Sequence, residues 1–143
     1  MSEAMTAAQK MLAGLPYDIM DAELIALREA ARRACYAYNR AGPMEADPPS
    51  PILKGLLGGF GESAFVEAPL RCAYGVNTHV GDGAFLNTGC VILDCARVEI
   101  GAKTLIGPCV QIYTAIHPLD PAERAAGTVV AGNPAKLIRR IGT

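Results

Sequence analysis

The stretch FGESAFVEAPLRCAYGVNTHVGDGAFLNTGCVILDCARVEIGAKTLIGPCVQIYTAI, residues 60–116, carries a rhythm that neither a helix nor a flat strand produces. Its apolar anchors are Phe60, Val66 and Cys72, then Val80, Leu86 and Ile92, then Ile100, Ile106 and Ile112. The step is six residues within each trio and eight between trios, so the stretch divides into three units of twenty. A helix repeats about every 3.6 residues and a flat strand every two. A sustained period of six marks a β-solenoid, in which each hexad forms one side of a triangular coil and equivalent side chains stack along the interior. Three coils at about 4.8 Å each make a prism roughly 14 Å tall.

Other positions follow the same count. Glycine stands directly after the anchor at Gly61, Gly81, Gly101 and Gly107, where it is expected to relieve crowding at corners with positive φ. Four residues after each anchor comes a small or aliphatic residue: Ala64, Leu70, Val76, Ala84, Cys90, Ala96, Thr104, Val110 and Ile116. These read as a second interior row. The two extra residues at each eight-residue step fit a widened corner.

Upstream the period is helical. MTAAQKMLAGL forms a short helix closed by Gly14 and Pro16, and Asp21 is a suitable N-cap for a second. Leu24, Leu27, Ala31, Ala34 and Tyr38 then recur as one apolar stripe. That helix stops at NRAGP, EADPPSP is a linker, and ILKGLLGGFG adds a short helical turn. The expected division is a helical cap and linker over 1–58 and the coil unit with its active-site loop and tail over 59–143.

Of the 143 residues, 51% are hydrophobic and 19% charged, ample for a buried core. The net charge of −1 gives no reason to expect nucleic acid or an anionic membrane as partner. No apolar run has the length of a membrane span, and the N-terminus lacks the pattern of a signal peptide. The five cysteines, Cys35, Cys72, Cys90, Cys95 and Cys109, include no CxxC pair. They are read as reduced thiols of a cytoplasmic protein. Two histidines are too few for a three-histidine zinc site, so no metal is expected.

Seven pieces carry a resemblance: KMLAGLPYD, LREAARR, YNR, GESAFVEAPLRCAYGVNTHVGD, CVILD, IGPCVQIYTAIHPLDPAERAAG and TVVAGNPAKLIRRI. In these pieces the chain resembles the maltose/galactoside O-acetyltransferases of the hexapeptide-repeat family, which includes the nodulation acetyltransferases. The resemblance implies a left-handed parallel β-helix with an N-terminal helical cap, assembled as a homotrimer. It also implies acetyl transfer from acetyl-CoA to a sugar hydroxyl, at sites between neighbouring subunits.

Residue by residue, His117 matches the family's catalytic histidine. A sugar hydroxyl is a poor nucleophile, and a neutral imidazole takes its proton as it attacks the thioester. Asn87 matches the residue that positions substrate beside it. Asp18 and Arg28 match residues contacting the sugar, and Asp94 in CVILD is a further candidate. Lys136 and Arg139 match basic residues at the CoA end, where phosphates favour them. As residues alone, Asp18 also reads as a turn residue, Arg28 as a side chain lying over the cap, Asp94 as a solvated corner carboxylate, and Lys136 with Arg139 as a solvated basic tail. His79 reads as a coil-surface residue, and Cys72 and Cys90 as core.

Three positions depart from the family pattern. Ala73 stands where a polar side chain is usual and Gly89 where asparagine is common. Gly127 joins Thr128 directly, where the family continues through roughly two more coils. The alternative reading is therefore a shortened trimeric solenoid that has lost acetyl-CoA binding and is no enzyme.

Overall fold

The computed structural model describes residues 4–41, 50–116 and 130–131. Helix α1 (Ala7–Leu12) starts from Thr6, whose hydroxyl accepts the Gln9 N–H while the Gln9 side chain accepts the Thr6 N–H, a reciprocal capping box. Helix α2 (Ala22–Arg40) starts at Asp21, whose carboxylate accepts the Glu23 N–H at 2.9 Å. Its apolar stripe buries Leu24, Ala31 and Tyr38 and half-buries Leu27 and Ala34, and Cys35 joins the buried face. Helix α3 (Pro51–Leu56) is capped by Ser50, with proline at its first position where no N–H is needed.

Nine short strands follow: β1 (Gly59–Phe60), β2 (Phe65–Val66), β3 (Arg71–Cys72), β4 (Thr78–Val80), β5 (Phe85–Leu86), β6 (Val91–Leu93), β7 (Val98–Ile100), β8 (Leu105–Ile106) and β9 (Gln111–Tyr113). They form three parallel sheets, ordered β1-β4-β7, β2-β5-β8 and β3-β6-β9. Register is constant: Val66 faces Leu86, which faces Ile106, and Cys72 faces Ile92, which faces Ile112. The chain visits the three sheets in turn and returns twenty residues later, one strand along. The six-residue anchors are therefore the stacked interior. Val66, Cys72, Val80, Leu86, Ile92 and Ile100 are buried, while Phe60, Ile106 and Ile112 pack against that core from its ends.

The structure corrects the sequence reading in three places. The glycines after the anchors do not take positive φ; among the described residues those that do are Gly14, Gly75, Gly83 and Gly89. Gly61 and Gly81 are small for another reason, because a Cβ at Gly81 would sit 2.6 Å from the Ala102 backbone nitrogen of the next coil. The second interior row also shifts at the widened corners. Val76 is 43% exposed, and Thr78 and Val98, two residues before their anchors, point inward instead. Val110 and Ile116, on the last described coil, are exposed as well. Finally, parallel stacking ends at Tyr113. Thr114 is buried, and its hydroxyl donates to Leu93 O at 2.9 Å while accepting from Ala96 N at 2.8 Å. Beyond it β10 (Ala115–Ile116) pairs antiparallel with β11 (Val130–Ala131).

Helix α2 docks on the first coil through polar contacts as well as its stripe. The Tyr38 hydroxyl donates to Val66 O. Asn39 grips both backbone groups of Leu70: its Oδ1 accepts the N–H at 2.8 Å and its Nδ2 donates to the carbonyl at 2.9 Å. Gly75, at φ +76°, lets the coil turn beneath α3, where a Cβ would lie 2.8 Å from Leu56 O.

Candidate functional site

The residues assigned to the site fall into three groups. Asp18 lies in the loop between α1 and α2, exposed, with its Oδ1 accepting the Met20 N–H at 2.8 Å. That Asx turn fixes the loop beside Arg28. Arg28, one turn and a half into α2, is the link. Its Nη2 donates to Ile19 O at 2.7 Å and its Nη1 to the Tyr74 hydroxyl at 3.1 Å. Its guanidinium carbon lies 5.9 Å from the centre of the Tyr74 ring. One side chain thus ties the Asp18 loop to the corner between β3 and β4.

Asp94 supports the same corner from inside. It is fully buried, so it is not a solvated corner carboxylate. Its Oδ1 accepts the Tyr74 N–H at 2.8 Å, its Oδ2 accepts the Thr78 hydroxyl at 3.1 Å, and its carbonyl accepts Asn77 Nδ2 at 2.8 Å. Burial pushes its carboxyl above the usual range, against the pull of those donors. Sequence reasoning missed Tyr74, the residue that joins Arg28 to Asp94. It also missed Tyr17 and Cys95, which pack with Tyr74, Met11 and Leu24 behind the loop. Burial, then the neighbouring Cys95 and Tyr74, raises the Tyr17 phenol; burial likewise raises Tyr74 and Cys95. All three stay protonated at neutral pH and offer hydrogen-bond donors rather than charge. For Tyr74 the available signal was its place at a widened corner, between the anchors Cys72 and Val80.

Asn87 belongs elsewhere. It sits half-buried at the corner between β5 and β6, its Oδ1 accepting the Thr88 N–H at 2.8 Å and its carbonyl accepting the Cys90 thiol at 3.0 Å. Within one chain this is a different corner of the coil from the one that holds Arg28, Tyr74 and Asp94. Next to it, Gly89 takes φ +77°, a conformation that glycine and asparagine both tolerate, but a Cβ there would press on the Cys109 sulfur at 3.0 Å. Ala73 is half-buried against the Tyr74 cluster. His79 is half-buried too, its Nε2 3.3 Å from Arg97 Nη1. His117, Lys136, Arg139 and the Gly127–Thr128 junction lie outside the described residues.

Residues 10–61, which include the Asp18 loop and all of α2, match the maltose acetyltransferase hexapeptide capping motif. A maltose O-acetyltransferase from Clostridium difficile 630 superimposes with a TM-score of 0.85 at 38% identity, over 90% of this chain and 69% of that one. The chain belongs to the maltose/galactoside O-acetyltransferase family. Nodulation protein L of Rhizobium meliloti is 41% identical over 136 residues, 95% of this chain and 74% of its own length. A hexapeptide-repeat acetyltransferase from Vibrio cholerae, solved with acetyl coenzyme A, gives a TM-score of 0.79 at 35% identity, over 89% of this chain and 68% of that one. The chain spans about two thirds to three quarters of the length of these relatives.

Proposed function

We propose that this protein transfers an acetyl group from acetyl-CoA to a hydroxyl of a sugar such as maltose, glucose or a galactoside, with His117 as general base. The observation that carries the reading is the Arg28 clasp: within the matched capping motif, one guanidinium ties the exposed Asp18 loop to the buried Tyr74 at a corner of the coil. An exposed carboxylate on a loop anchored by a guanidinium is a set of acceptor and donors suited to vicinal sugar hydroxyls, with the buried Tyr74 phenol holding the guanidinium from behind. Asp18 and Arg28 then contact the acceptor, and Asp94 acts from behind, holding the Tyr74 backbone. Asn87 orients substrate beside the base, and Lys136 with Arg139 meets the phosphates of CoA.

In this reading His117 Nε2 or Nδ1 accepts the proton of the attacking hydroxyl, which forms the new ester bond as the thioester C–S bond breaks. The imidazolium then gives that proton to the leaving sulfur, so CoA leaves as the thiol and His117 returns to its neutral form. No acyl-enzyme is needed, because the two substrates react directly. The repeated three-sheet path is a left-handed parallel β-helix, divided into a cap at 1–58 and the coil unit at 59–143. The separation of Asn87 from the Arg28 corner supports a site completed by a second chain of a homotrimer.

The test is acetyl transfer from acetyl-CoA to a sugar panel, with binding of acetyl-CoA followed by calorimetry. His117→Ala should lower turnover about a hundredfold or more, with circular dichroism unchanged. No acetyl-CoA binding by a well-folded wild-type chain would overturn the enzyme reading in favour of a non-catalytic solenoid. Unchanged transfer by the variant would remove His117 from the chemistry.

A further inference from the structure

A cavity of about 380 Å³ opens between α2 and the coil, lined by residues other than those of the Asp18 loop. Two sulfurs line it. Cys35 comes from α2 and Cys72 from β3, and their Sγ atoms are 3.4 Å apart, although 37 residues separate them in the chain. Both side chains are buried within the fold, yet both face this opening. Arg32 and Arg71 stand on its walls. Core packing, the reading given to Cys72, does not require that it touch a second thiol or face a cavity with cationic walls.

The contact changes the chemistry of both. One sulfur is held as the acceptor of the other's S–H. That hydrogen bond draws the Cys35 thiol below the usual thiol range, with Arg71 helping against the cost of burial. Cys72, the sulfur that keeps the proton, is pushed up by the same bond and then by burial. The proton is shared by the pair, and of the two sulfurs Cys35 is the one that gives it up more readily.

We propose that Cys35 and Cys72 form a peroxide-responsive dithiol site, which closes to a disulfide that fixes helix α2 to strand β3. The thiolate attacks one oxygen of the peroxide. An S–O bond forms, the O–O bond breaks, and the departing hydroxide takes a proton to leave as water. The second thiol then attacks the sulfenic sulfur: the S–S bond forms, the S–O bond breaks, and a second water leaves with that thiol's proton. Two thiols lose two electrons and two protons, and the peroxide is reduced to two waters. From 3.4 Å the sulfurs must approach by about 1.3 Å to reach disulfide length, a movement within the reach of side-chain rotation. Cys90 also lines the cavity, but burial raises its thiol, and its S–H is committed to Asn87 O at 3.0 Å. It is a weaker nucleophile than Cys35. The inference rests on contact between two elements and stands apart from the acetyl-transfer reading.

The experiment treats the whole chain with a small molar excess of hydrogen peroxide at neutral pH, followed by intact mass and by peptide mapping after blocking free thiols. The expected result is the loss of two hydrogens, a bridged peptide pair containing Cys35 and Cys72, and reversal by dithiothreitol. The apparent melting temperature should rise by several degrees, the scale for closing a loop of this length. Cys35→Ser and Cys72→Ser should each abolish the mass loss. The proposal is overturned by unchanged mass, by added oxygens without a bridge, by a bridge that uses Cys90 or Cys109, or by mass loss persisting in either variant. The mapping needs only the wild-type chain, so it decides the matter even where a serine variant does not fold.

Discussion

Asp94 shows how one buried carboxylate serves as a keystone. It receives the Tyr74 N–H and the Thr78 hydroxyl directly, inside the fold. Asp94→Ala leaves these two donors buried and unmet, and should cost about 2–4 kcal/mol of stability, read from urea unfolding. Its titration gives a second readout. Because burial raises its folded pKa, the folded state binds the proton more tightly than the unfolded one. Its contribution is therefore full below the unfolded value of about 4 and is lost as pH rises through the raised folded value. Asp94→Asn cannot titrate. Wild-type stability relative to that variant should fall between acid and neutral pH, and a flat or rising difference would show that Asp94 is not the group responsible. The sequence marked Asp94 but not its burial. A six-residue period reports which way a side chain points within a side, and the extra residues of a widened corner change that direction without changing the letters around it.

Among the elements, α2 was the most legible. Its N-cap, stripe and end could be read residue by residue, because capping and helical periodicity are local. What α2 touches could not. The contacts from Arg28 to Tyr74 and from Asn39 to Leu70 cross 46 and 31 residues of chain, and nothing in local spacing encodes such a distance. Asn39 completes the hydrogen bonding of a buried residue that the sheets leave unpaired. Asn39→Ala should cost about 1–3 kcal/mol, and the Leu70 amide should exchange with solvent markedly faster while amides of β5 and β6 keep their protection. Uniform loss of protection across the coil would mean that the cap and coil unfold as one unit. The glycines teach a related lesson. Gly61 and Gly81 could be picked out by position, but the reason for their size is the backbone of the neighbouring coil, twenty residues away.

For the whole molecule, the outward faces of the sheets are informative. On the sheet β2-β5-β8 the outward residues are Phe65, Phe85 and Leu105. The two rings stack with centroids 5.8 Å apart and planes within 2°, and Leu105 is 78% exposed. An apolar ladder of this kind is an unusual choice for a wet surface and suits a contact with another copy. We expect light scattering to give three times the chain mass. Phe85→Glu, which places a charge in the middle of the ladder, should lower that mass without unfolding the chain. A wild-type monomer at micromolar concentration would overturn the homotrimer, and a Phe85→Glu trimer would move the contact to another face.

The constant twenty-residue offset between strand partners gives the coil something like a reading frame. Adding a whole storey of twenty leaves every residue above it on the same wall and facing the same way, only lifted by one rung. Adding six moves each later strand to the next wall and meets the widened corner out of turn, so the interior rows no longer line up. Length in this fold is therefore counted in whole units. A chain of this kind grows or shrinks cleanly only by complete turns, and a partial turn garbles all that follows it.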